Sequence, residues 1–144
     1  MAAMQPAGPS TTVSRIRTQL QAGRGALREA YLLRPRPRAL LRGHSSLVDR
    51  TIRAMWRELQ PAAGAALLAT GGYGRAELFP FSDIDILILL AREPSPDERS
   101  RLEFLVGQLW DVGLETGHSV RTVATCLEAA EADITVRTAL LEAD

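Results

Sequence analysis

Apolar positions along the chain change period several times, and each change predicts an element. Val13, Ile16 and Leu20 recur at helical spacing, Gly23 and Gly25 interrupt the stripe, and Leu27, Ala30 and Tyr31 resume it. Arg34 to Arg38 carries Pro35 and Pro37 and reads as an extended link, because each proline disfavours helix in the residue before it. A second helix is expected from a Ser46 cap, with Asp49 at the third position and Val48, Ile52, Met55, Trp56 and Leu59 facing a core before Pro61. Trp56 is read as packing. The small, polar, proline-bearing stretch from Met1 to Thr12 reads as a disordered tail.

Beyond Pro61 the pattern turns to strands. Ala65 to Thr70 is short and apolar; Asp83 to Ala91 places Ile84, Ile86, Ile88 and Leu90 on one face and Asp83, Asp85, Leu87 and Leu89 on the other. Both faces are apolar by Leu87, as in a central, covered strand. Ser95-Pro96-Asp97-Glu98 opens a helix whose stripe is Leu102, Leu105, Val106, Leu109 and Trp110 and whose end is Gly113. A third strand, Leu114 to Thr122, follows. Thr125 with Glu128 reads as another capping box, Asp133 as a helix cap, and a last helical stretch runs from Ile134 to Asp144 with no closing signal. The chain therefore reads as one that stops where a longer protein would continue. The boundaries expected are a tail over 1–12, a helical region over 13–60 and an α/β core over 61–144.

Chemistry concentrates between Ala65 and Leu90. Two carboxylates two residues apart on a strand lie ~6.5–7 Å apart and repel by roughly 2 kcal/mol at an effective dielectric near 20, so Asp83 and Asp85 call for positive charge. Hard oxygen ligands from one strand face suit Mg²⁺, which takes one or two protein carboxylates and completes its shell with water and phosphates. Thr70-Gly71-Gly72 supplies a turn in which backbone approaches a phosphate with no Cβ in the way, and Tyr73 to Leu78 is expected to open a short helix. Either half alone is common. Together, a glycine turn, a short polar segment and Ser-Asp-x-Asp entering a buried strand make a specific combination.

At these residues the sequence resembles the nucleotidyltransferase superfamily, and more closely the amino-terminal part of the bacterial PII uridylyltransferase/uridylyl-removing enzymes. GGYGRAELFPFSDIDILIL carries the likeness, with Ala76 where glycine is commoner in that family, and SLVDRTIRAMW and LETGHSVRT extend it. The resemblance implies an α/β (α+β) fold, a mixed sheet flanked by helices. It also implies transfer of UMP from UTP to a tyrosine of the PII nitrogen-regulatory protein, releasing pyrophosphate. Asp83 and Asp85 would be catalytic and hold Mg²⁺; Gly71 and Gly72 would take the β- and γ-phosphates, and Ser82 would add a donor. Arg75 has two readings, a phosphate partner or a surface ion pair with Glu77. A third carboxylate is weakly represented: Glu115 shares a face with Ser119 and Arg121, and Asp133 reads as a cap. His118 reads as a core residue rather than a base. Neither His44 nor His118 is followed by Asp, so no His-Asp hydrolase motif for uridylyl removal is present in this sequence. Two other readings stay open: an inactive remnant that binds nucleotide or PII without turnover, and a minimal nucleotidyltransferase of the toxin–antitoxin type.

Composition adds constraints. The formal charge of zero hides 12 arginines against 3 acids up to Arg75 and 5 against 14 beyond it, with no lysine. The basic half lacks interleaved aromatics and a binding motif, so it reads as exposed surface and partners for the acidic half rather than a nucleic-acid face. Cys126 is the only cysteine, which excludes an intramolecular disulfide. No stretch is long and apolar enough for a bilayer and no signal pattern opens the chain, so cytoplasm is the expected compartment.

Overall fold

The computed structural model describes residues 11–144. The expected disordered tail therefore lies outside the described residues, apart from Thr11 and Thr12, which open the first helix. In chain order the elements are α1 (Thr11–Leu33), α2 (Pro37–Leu59), β1 (Ala65–Ala69), α3 (Gly71–Gly74), β2 (Ile84–Leu90), α4 (Pro96–Val112), β3 (Thr116–Thr122), α5 (Val123–Ala132) and α6 (Ile134–Leu141).

The three strands form one mixed sheet in the order β1-β2-β3, with β1 antiparallel and β3 parallel to the central β2. As its pattern predicts, β2 buries Ile84, Ile86, Ile88 and Leu90. They enter one apolar cluster with Leu20 of α1, Val48 and Met55 of α2, and Leu105 and Leu109 of α4. Leu87 and Cys126 are buried outside that cluster, and α5 lies against β2 and β3. The stripe of α4 is centred on Leu105, Leu109 and Val112, whereas Trp110 is 53% exposed. Leu109 and Val112 are three apart and share a face; Trp110 is rotated about 100° from Leu109.

Helix starts differ from expectation where local chemistry decides. α2 begins at Pro37 rather than Ser46, because proline at the first helical position loses nothing and no later residue breaks the turn. Helix α1 runs unbroken through Gly23 and Gly25. A Cβ on Gly23 would stand 2.6 Å from Leu47 Cδ1, and one on Gly43 would stand 2.6 Å from Leu27 Cδ2. Each helix thus receives a leucine tip of the other in a notch, an exposed-sequence breaker turned into a packing device. The cap of α5 is Thr122, not Thr125: Thr122 Oγ1 accepts from the Thr125 N–H at 3.1 Å, while Thr125 Oγ1 accepts from the Thr122 N–H at 2.9 Å. Asp133 caps α6 through the Thr135 N–H at 2.8 Å. That helix ends at Leu141 rather than at the terminus, since Asp144 leaves it to exchange two backbone hydrogen bonds with Ala69 on the outer edge of β1.

The capping box at Ser95 is present in both directions: Ser95 Oγ accepts from the Glu98 N–H at 3.1 Å and the Glu98 carboxylate accepts from the Ser95 N–H at 3.0 Å. Gly113 closes the same helix at φ +102°. Ser95→Ala is expected to lower folding stability by about 1 kcal/mol, read as a lower urea midpoint at unchanged slope.

Candidate active site

The end of β1 passes through Thr70, in extended backbone, into Gly71 at φ +59°. That left-handed conformation costs glycine little and most residues more. A single helical turn follows, closed by Gly74 N–H to Thr70 O at 3.0 Å and Arg75 N–H to Gly71 O at 3.2 Å. The amides at the start of such a turn have no partner within it. The Thr70 N–H donates to Asp85 O at 3.0 Å, which fastens the turn to β2.

Asp85 lies between two glycines. A Cβ on Gly71 would fall 3.1 Å from its Oδ2, and one on Gly117, its cross-strand neighbour on β3, would fall 2.8 Å from its Oδ1. The carboxylate therefore occupies space that any side chain at either position would contest. Asp83 stands one residue before β2 and falls on the same side by the two-residue period. Both aspartates are exposed, and among the described residues neither makes an ion pair or a side-chain hydrogen bond. Asp85 against the glycine turn and Asp83 two residues before it are unneutralised hard oxygen donors of the kind that fits Mg²⁺, whose remaining ligands come from water and phosphate. No group of three or more His, Cys, Asp or Glu side chains suited to a metal occurs among the described residues.

The other candidates are placed as follows. Gly72 sits inside the turn. Arg75 is exposed and engaged twice, by Glu142 at 2.7 Å and Glu77 at 3.5 Å. Glu142 takes Nη1 and Glu77 takes Nε, while Nη2 stands 3.9 Å from where a Cβ on Gly72 would be, so the guanidinium keeps donors on the side of the glycine turn. Ser82 is exposed beside Phe81, which has φ +67°, on the wall of a cavity of about 680 Å³ shared with Leu27, Tyr31, His44 and Glu115. Glu115 O accepts from the Ile84 N–H at 2.9 Å, and the Glu115 charge opposes the lowering of the Arg24 pKa by burial. His118 is exposed on the edge strand, not a core residue, because the helices cover Thr116 but not the position two residues on.

Several site residues are invisible to motif reading. Tyr73, the only side chain of α3, is buried and donates through its hydroxyl to Asp49 Oδ1 at 2.5 Å. Ser45 Oγ accepts from the Leu78 N–H at 3.3 Å, and His44 Nδ1 lies 3.1 Å from Leu78 O. A carbonyl only accepts, so Nδ1 carries a proton; burial pushes the His44 pKa down. Gly117 did leave a signal, since an isolated glycine inside a strand marks close approach of another group.

Comparison with known proteins shows the family. Residues 49–134 match the nucleotidyltransferase domain family. The chain is similar to the bifunctional uridylyltransferase/uridylyl-removing enzyme of Thiobacillus denitrificans, 52% identical over 128 residues that make up 89% of this chain and 15% of that protein. The protein of the same name from Nitrosospira multiformis is 51% identical over 134 residues, 89% of this chain and 15% of the relative. That of Aromatoleum aromaticum is 48% identical over 136 residues, 94% and 16% respectively. The chain thus spans 15–16% of the length of these relatives. With a mixed α+β sheet, a glycine turn and an Asp-x-Asp step inside the matched region, this chain belongs to the nucleotidyltransferase domain family.

Proposed function

We propose that this domain transfers UMP from UTP to a tyrosine hydroxyl of the PII nitrogen-regulatory protein. The tyrosine hydroxyl gives up its proton to solvent as its oxygen bonds to the α-phosphorus, the bond from that phosphorus to the bridging oxygen breaks, and pyrophosphate leaves with the electron pair. The observation that carries nucleotidyl transfer is the Asp85 carboxylate, free of any basic partner among the described residues and set between Gly71 and Gly117. The choice of uridylyl is supported by the names of the relatives, and that of PII by the resemblance at residues 71–90 and 114–122.

Asp83 and Asp85 would hold Mg²⁺, which when bound supplies the positive charge that phosphoryl transfer needs. The protein's own part is positioning. Gly71 and Gly72 N–H groups would meet the β- and γ-phosphates, the Ser82 hydroxyl would add a donor, and Arg75 would join through Nη2, the nitrogen nearest Gly72. Each of these groups aims at charge that builds on the phosphate oxygens as the bond breaks.

Incubation of the chain with labelled UTP, Mg²⁺ and PII is expected to label PII and release pyrophosphate. No label transfer, together with no binding of a non-hydrolysable UTP analogue by isothermal titration, overturns the proposal. Binding without turnover favours a second reading, a domain that binds nucleotide without transferring it.

A further inference from the structure

The glycine turn is poorly equipped to hold its own shape. Three of the four residues of α3 are glycines, which lose the most backbone freedom on ordering and contribute no packing. Its one side chain, Tyr73, reaches into the core and donates to Asp49 on α2, a 23-residue helix that buries seven of its residues. Burial first, and the hydrogen bond to Asp49 second, push the Tyr73 pKa upward, so the phenol stays protonated and the carboxylate accepts. Asp49 is only partly buried, and its hydrogen bond is charge-assisted.

A second attachment follows five residues later. Both backbone polar groups of buried Leu78 are taken by adjacent residues of the same helix, Ser45 for the N–H and His44 for the carbonyl. Between Gly71 and Asp83 the chain is therefore pinned to α2 at Tyr73 and at Leu78. Asp49 is the first residue of the matched family region; His44 and Ser45 lie before it.

We infer that α2 is the template that sets the glycine turn against Asp83 and Asp85, with Asp49 and Tyr73 as its positioning residues. The inference rests on the nucleotidyl-transfer reading for its functional consequence. Neither side chain is a catalytic residue: each acts by fixing where the amides of Gly71 and Gly72 stand relative to Asp85, whose carboxylate lies directly over Gly71.

The test uses the whole chain and three variants, Tyr73→Phe, Asp49→Ala and Asp49→Asn. The asparagine keeps an oxygen acceptor for the phenol, so it separates the hydrogen bond from the mere presence of a side chain. Amide exchange over residues 71–75 is expected to accelerate about tenfold in Tyr73→Phe and Asp49→Ala, the scale of losing one hydrogen bond to a charged group, while β2 amides keep their protection. The same two variants are expected to raise the UTP KM about tenfold with kcat changed by less than about twofold, and Asp49→Asn to restore both readouts to near the parent values. Unchanged exchange in Tyr73→Phe overturns the inference. So does faster exchange with unaltered KM and kcat, which would make the tether structural only. If the parent chain takes no UTP, the nucleotidyl-transfer reading fails, and the exchange experiment still decides whether the tether holds the turn.

Discussion

Asp85→Asn is expected to reduce Mg²⁺-dependent transfer from UTP by about three orders of magnitude or more, without unfolding the domain. Asparagine is nearly isosteric, so the gap between Gly71 and Gly117 remains filled and the Thr70 N–H still donates to the backbone carbonyl of residue 85. What disappears is one negative charge at a place where no arginine offsets it. Removing it also relieves repulsion from Asp83, so the melting temperature of the variant without Mg²⁺ should equal or exceed that of the parent. The parent is expected to gain stability from Mg²⁺ and nucleotide together, by the ordinary linkage between binding and folding. The variant should gain little. A variant that keeps wild-type transfer would remove Asp85 from the reaction, whereas one that melts well below the parent would make the carboxylate a structural group.

The site was legible to the extent that chemistry lay in one contiguous stretch. The Asp-x-Asp step, the glycine turn and the alternation of β2 are all local, and an apolar strand with two acids at its mouth is conspicuous in any sequence. What could not be read depended on partners far along the chain. Nothing near Tyr73 announces that its hydroxyl will meet Asp49, 24 residues earlier, or that Leu78 will be held by His44 and Ser45. Gly23 misleads for the same reason: a notch for Leu47 of the facing helix and a helix breaker are spelled with the same letter. Arg75 was ambiguous locally, and Glu142, which engages it more closely than Glu77, is brought near only because Asp144 pairs with the edge of β1. Helix starts were displaced for two different reasons: α5 because Thr122 and Thr125 cap each other reciprocally, and α2 because Pro37 opens it with no side-chain cap.

Gly117→Ala is expected to reduce transfer about a hundredfold, the size associated with displacing a reacting group by roughly 1 Å, while leaving stability unchanged or slightly raised. Unlike Gly71, Gly117 is not in the left-handed region, so alanine there brings no backbone strain and carries better strand propensity than glycine. Its methyl carbon would stand 2.8 Å from Asp85 Oδ1, too close for the present position of the carboxylate. Since Asp85 is exposed, the side chain can turn aside cheaply, and the cost falls on function rather than folding. Gly71→Ala would press on Oδ2 at 3.1 Å but would add strain at φ +59°, which confounds the two effects. Coupling then distinguishes mechanisms. If the methyl acts only through Asp85, adding Gly117→Ala to Asp85→Asn should cost almost nothing further, because the contested carboxylate no longer contributes. If the two losses multiply instead, Gly117 serves the site by some other route, such as backbone approach to the substrate, and the carboxylate's location between the two glycines does not set its reactivity.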